Sequence, residues 1–256
     1  SDPIRYINHL IGHEGEGSIL YALKQKNWAT GLSSYLYHQG SSFSIHCIRV
    51  EYTDAGADHL EDIVSCIFAY LGMVKAKHAH LSSQPTGTST ENLSWVAQES
   101  FDMTACAFRY KDEGDPSNLT VDIANDMHLY PIEHTLTSDK ILYDITRTQE
   151  LMMDLYLGGA GGRNYFSVEN SFVIVEDQRF TGNTNMKEKW YGSDYNICDY
   201  NSKGDGKCFE KWSCAFENGG DWTGKVYMPR PNAYLPSDFS LKHEQKPQSK
   251  GRDVVL

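Results

Sequence analysis

Residues 6–28, YINHLIGHEGEGSILYALKQKNW, bring His9, His13 and Glu14 within six positions. Two histidines four apart share one face of a helix and can share a metal ion, and a glutamate beside them can act as the base of a zinc peptidase. The motifs that achieve this read H-E-x-x-H or H-x-x-E-H. Here Glu14 follows the second histidine, so it projects about 100° away from the pair. Gly12, Gly15 and Gly17 also bend the stretch, which makes it a poor mount for rigid ligands. On spacing alone this is not a zinc site, and no catalytic and no metal-ligating residue is expected in the chain.

Other stretches imitate chemistry less closely. DYNSKGDGKCFE (199–210) places Asp199, Asn201, Asp205 and Glu210 at positions 1, 3, 7 and 12 of a calcium loop, with Gly204 at position 6. Lys203 then puts a cation where a carboxylate belongs, and Gly206 replaces the usual apolar residue, so a surface loop is expected. Cys198, Cys208 and Cys214 contain no C-x-x-C pair and match no zinc-ribbon spacing. GGAGGR (158–163) lacks the Lys-Ser/Thr of a phosphate loop and reads as a connection. No G-x-S-x-G elbow is present.

The elements around these residues follow from periodicity and punctuation. Residues 3–26 read as helices interrupted at Gly15-Glu16-Gly17, with Asp2 as cap and Pro3 in the first turn. TGLSSYLYHQG and SSFSIHCIRVEYT read as two strands joined at Gly40. Residues 54–76 form an amphipathic helix with Leu60, Ile63, Val64, Ile67, Phe68 and Leu71 as its stripe. A polar loop over 80–90 leads to a helix over 91–112, and a third helix is stopped by Pro131. One or two more helices are expected in TSDKILYDITRTQELMMDLYLGG. SFVIVED (171–177) is a candidate buried strand, and the last 75 residues read as loop and short helix. Trp28, Trp95 and Trp190 are expected to pack in the core or an interface. Strands first, helices next and a returning strand imply α+β, not alternating βαβ.

Bulk properties narrow the function. The 256 residues are 40% hydrophobic and 22% charged, as in an ordinary globular protein. A net charge of −11 and a pI near 5.3 argue against nucleic acid or an anionic membrane as partner, since no basic patch offsets them. No apolar run approaches the roughly 20 residues of a membrane span, and no leader pattern opens the chain. Six scattered cysteines are too sparse for a disulfide framework, and the acceptor patterns at Asn92 and Asn118 are common by chance. A reducing, cytoplasmic setting is expected.

The opening stretch resembles a segment of the second, non-catalytic domain of the insulinase (pitrilysin-type) zinc metallopeptidases. DHLEDIVSCIFAYL, AFRYKDEGDP, HLYPIEHTLTSDKILYD, KWYGSDYN and NAYLPSDFSL follow in the same order, so the resemblance spans nearly the whole chain. It implies a mixed, largely antiparallel β-sheet covered by helices, in one of several domains enclosing a chamber. Residues 1–180 would be the main α/β part, lacking an upstream strand, and 181–256 a C-terminal extension and the start of a linker between halves. Zinc would sit in the parent's first domain, whose H-x-x-E-H has no counterpart here.

The implied role is to shape the chamber and hold the N-termini of peptide substrates at an exosite. The matching positions are Gly12, Glu14 and Leu32, with Ser33 and Ser34 continuing the strand. A peptide can add to an exposed strand edge while a carboxylate meets its terminal ammonium. The sequence departs from the family pattern at Asn8 and at Ser34-Tyr35, where glycines are usual. It departs again at Glu113-Gly114-Asp115, where relatives carry basic residues linked to polyanion binding. Three readings follow: a substrate-holding domain, a self-sufficient peptidase using His9 and His13, and a purely structural module. The absent zinc motif argues against the second. The missing strand also implies an unpaired sheet edge through which copies could associate.

Overall fold

A computed structural model describes residues 3–39, 42–82, 94–137, 164–198, 207–236 and 238. The surface loop expected up to residue 206, the Gly-rich 158–163 stretch, the helices beyond residue 137 and the Asp2 cap lie outside those residues. Helix α1 spans Pro3–Ile11 and α2 Ile19–Gln25. Ser18 caps α2, its hydroxyl accepting from the Tyr21 amide at 3.2 Å. Strands β1 (Ala29–Gln39) and β2 (Ser44–Tyr52) form an antiparallel hairpin, with Leu32 opposite Val50 and Ser34 opposite Ile48. A 3-10 turn over Gly56–His59 leads into α3, Leu60–Ser82. Helix α4 spans Ser94–Arg109 and α5 Pro116–Leu129. Asp115 caps α5 by accepting from the amides of Ser117 and Asn118, with Pro116 in the first turn.

A second, two-residue pairing joins β3 (Met186–Lys187) to β4 (Asp194–Tyr195), and α6 spans Lys207–Asn218. Both sheets are antiparallel and helices dominate, so the class is α+β. The core lies where α1, α2, the inner face of the hairpin, α3 and α6 meet. Tyr6, Ile7, Leu10 and Ile11 bury one side of α1, and Ile19, Leu20 and Leu23 one side of α2. Helix α3 is covered on two sides, by α2 and by α6. Its buried set therefore exceeds a single stripe: Ile63, Phe68 and Leu71 are joined by Cys66, Ala69, Tyr70 and Val74, while Leu60, Val64 and Ile67 are only half-buried. Two buried polar contacts fix the register, from the Tyr70 hydroxyl to the Leu10 carbonyl at 2.9 Å and between Tyr6 Oη and His78 Nε2 at 3.2 Å.

Two expectations are corrected. Residues 171–177 form no strand, and Phe172 and Ile174 are 69% and 72% exposed. A short apolar run becomes a strand only when a neighbouring strand completes its ladder. This one instead meets β2 through a side chain, the Tyr52 hydroxyl donating to the Glu176 carbonyl at 2.8 Å. Trp190 is 80% exposed beside the β3–β4 turn, with Lys189 Nζ 4.7 Å above its ring, so it lies outside the core of this chain. Trp28 does pack, stacked on His59 at 4.2 Å and edge-on to Trp222.

The α3–α6 contact depends on Gly72, where an added Cβ would stand 1.9 Å from the Phe216 carbonyl oxygen. Gly72→Ala is expected to cost about 3 kcal/mol in urea unfolding, because backbone must move to admit the methyl group. Burial also pushes both His46 and His78 down to about 4. Each takes up its proton more readily unfolded, so stability present above pH 6.5 is lost as pH falls toward 4. Urea unfolding at pH 5 is expected to show a loss of up to about 2 kcal/mol per histidine relative to pH 7.5, relieved at one site by His78→Gln.

Candidate functional site

The turn after α1 and the strand that α1 packs on carry the positions singled out by sequence. Gly12 closes α1, its amide donating to the Asn8 carbonyl at 2.8 Å. Glu14 follows on the open turn, 69% exposed, with one carboxyl oxygen 3.6 Å from Lys24 Nζ on α2. Two such exposed charges hold each other weakly, so Glu14 stays accessible. Leu32 and Ser34 share the sheet face turned toward the helices, and Leu32 packs against the core. Ser33 points to the opposite, exposed face. The structure thus groups Gly12 with Glu14 and Leu32 with Ser34, and separates Ser33 from both.

Asn8 and Ser34, the two departures from the family pattern, meet. The Ser34 hydroxyl donates to Asn8 Oδ1 at 2.7 Å, and His46 Nε2 stands 2.6 Å from the same oxygen. Phe166 lies edge-on against the His46 ring, with centroids 4.8 Å apart. Sequence reading missed His46, although its parity was visible: it lies two and four residues before the inward-facing Ile48 and Val50.

The histidines of the opening motif are engaged elsewhere. His9 Nε2 is 3.0 Å from Glu99 Oε1 on α4, and the other Glu99 oxygen accepts from the Asn232 amide at 2.6 Å. Glu99 is 5% exposed, so a buried carboxyl group joins α1, α4 and the C-terminal segment. His13 Nδ1 accepts from the Gly15 amide at 2.9 Å. Burial and neighbouring His9 lower its pKa, against the opposing pull of Glu99 and Glu14. The two imidazoles stand perpendicular with centroids 6.2 Å apart. Among the described residues no three His, Cys, Asp or Glu side chains converge as a metal site would require. Arg5, Asn8 and His9 with Ser100, Met103 and Thr104 line an open depression of about 350 Å³ between α1 and α4.

The C-terminal segment straps across the turn. The Tyr227 amide donates to the Gly17 carbonyl at 2.9 Å. Gly17 has φ +91°, and a Cβ there would come 2.5 Å from the Tyr227 ring. Glycine is required both by the backbone and by the packing.

Two family models match this chain: "Peptidase M16 inactive domain" over residues 1–83 and "Middle or third domain of peptidase M16" over residues 108–255. The chain belongs to the peptidase M16 family. Bovine (Bos taurus) insulin-degrading enzyme is 32% identical over 250 residues, covering 96% of this chain and 21% of that protein. Human (Homo sapiens) nardilysin is 28% identical over 251 residues, covering 96% of this chain and 19% of the relative. Insulin-degrading enzyme-like 1, peroxisomal, of Arabidopsis thaliana is 29% identical, covering 94% of this chain and 22% of that protein. The crystal structure of pitrilysin shares the fold, with a TM-score of 0.66 at 20% identity over 93% of this chain and 22% of its own. The chain therefore spans about a fifth of the length of these M16 relatives.

Glu99 and Asn232 carried no signal in the sequence, because a single helical glutamate resembles any other. Glu99→Ala is expected to lower stability by about 3 kcal/mol, since it strands the Asn232 amide and the His9 ring. Urea unfolding reads the loss, and faster hydrogen exchange at the Asn232 amide locates it.

Proposed function

We propose that this chain is a non-catalytic part of an M16 zinc metalloendopeptidase that shapes the substrate chamber and holds substrate N-termini. One juxtaposition carries the reading: α1 ends at Gly12, accessible Glu14 follows it, and α1 packs on β1. Beyond its pairing with β2, β1 has no strand partner among the described residues. An extended peptide adding to that edge would be held through main-chain hydrogen bonds, with Glu14 meeting its terminal ammonium. Gly12, Leu32, Ser33 and Ser34 complete the proposed exosite. Zinc and the hydrolytic step belong, in this reading, to another domain of the parent.

The partners are peptide substrates and the parent's other domains. Exposed apolar residues on and after α5, including Leu129 and Ile132, support contact with a larger body. The same open β1 edge could pair copies of the chain. All six cysteines are free, which supports a reducing compartment, and we place the protein in the cytoplasm. Among the described residues no helix is long and apolar enough to cross a membrane. The Asn8–Ser34–His46 cluster favours a second reading, a structural module that binds no peptide, because it places bulk beside the proposed exosite.

Fluorescence anisotropy of a labelled peptide separates the two. The first reading expects binding that requires a free N-terminus and weakens about tenfold in Glu14→Gln, the scale of one charge-assisted hydrogen bond. Equal binding of free and acetylated peptides would remove Glu14 from the role, and no binding to either would leave the structural module.

A further inference from the structure

The turn after α1 sets one carboxylate and one ammonium group side by side. Glu14 Oε2 stands 3.6 Å from Lys24 Nζ on α2, and both side chains are open to solvent. Neither has another ion-pair partner among the described residues. The other polar groups of the turn are engaged: His13 Nδ1 accepts from the Gly15 amide, and Glu16 faces the Tyr227 hydroxyl. Helix α2 fixes where Lys24 stands, since Ser18 caps its first turn and Ile19, Leu20 and Leu23 are buried. Only the flexible four-carbon stem of Lys24 is left to move.

A peptide's terminal ammonium placed on Glu14 donates charge-assisted hydrogen bonds to that carboxylate. Lys24 Nζ starts 3.6 Å from the same carboxylate, so it then lies beside the peptide's first residue. An aspartate in first position carries a carboxylate on the very residue that bears the ammonium. Glu14, the ammonium, that carboxylate and Lys24 then form a ring of alternating charge. A lysine in first position instead brings a second ammonium toward Lys24, and like charges repel. The chain as a whole carries −11, a field that favours basic peptides wherever their charge lies. A preference for acid confined to the first residue is therefore the mark of Lys24.

We propose that Lys24 is a specificity-determining residue of the exosite, selecting peptides that begin with an acidic residue over those that begin with a basic one. The inference rests on Glu14 as acceptor of the peptide ammonium and adds the class of side chain the site prefers. Glu14 supplies the anchor and Lys24 the choice. Both charges are exposed, so the discrimination is modest and screened by salt.

The test is fluorescence anisotropy of the full chain with three labelled peptides, each with a free N-terminus, beginning with Asp, Ala or Lys. At low ionic strength, affinity is expected to fall about threefold from Asp to Ala and again from Ala to Lys. Salt at about 0.5 M is expected to level the three. Lys24→Met keeps side-chain length and helix propensity, with circular dichroism checking the fold, and is expected to abolish the preference for Asp. Lys24→Glu is expected to reverse it. An aspartate moved to the far end of the peptide is expected to gain nothing. A flat ranking in the wild type, an unchanged ranking in Lys24→Met, or equal tightening of all three peptides in that variant overturns the selector and leaves the anchoring reading standing. Equal binding of acetylated peptides, or no binding by any of these proteins, overturns both.

Discussion

The placement of α1 governs everything else in this structure. A helix of nine residues is too short to persist in water alone, so tertiary contacts must hold it. Tyr6, Ile7, Leu10 and Ile11 are each within 1% of complete burial, and Tyr70 caps the Leu10 carbonyl from α3. At about 1.5–3 kcal/mol per buried large side chain, that apolar side fixes the helix's rotation. Asn8 and His9 are then left to face β1 and α4. Their partners, Ser34 with His46 and Glu99 with Asn232, are consequences of that orientation.

The two polar contacts differ in kind. Glu99 is a buried carboxyl group satisfied by a side chain and a main-chain amide, so losing either donor is costly and the contact is permanent. The Asn8 trio consists of uncharged groups in a half-buried place, where each bond contributes only about 1 kcal/mol net. Two adjacent residues of α1 are therefore held differently, His9 firmly and Asn8 lightly.

Much of this was legible in the sequence. The hairpin, α3, α4 and α5 follow from apolar periodicity and from caps such as Asp115-Pro116, and these local signals keep their meaning in any context. The run at 171–177 shows the limit, because its apolar residues fit a strand only if another strand lies alongside. Helix α3 shows another: its stripe was visible, but cover by α6 from the far end of the chain buried Cys66, Ala69 and Tyr70 as well. Gly12, Glu14 and Leu32 could be singled out by family resemblance. The meeting of Asn8 with Ser34 could not, since nothing local relates residues on different elements. M16 membership accounts for the ordered motifs, and the contacts between them belong to the packing.

Two of the contacts that complete this structure bridge 133 residues, from Glu99 to Asn232, and 151 residues, from Glu61 to Trp212. Closing such long loops costs entropy that local contacts do not offset, so these contacts form after the segments they join. During synthesis, at roughly 5–20 residues per second, the carboxyl group of Glu99 waits on the order of ten seconds for its amide partner to emerge. Over that interval α3 meets α1 and α2 but not yet α6. The order in which the ribosome delivers the chain thus leaves the face meant for α6 open longest, and a chaperone that shields apolar helix faces would find its opportunity there.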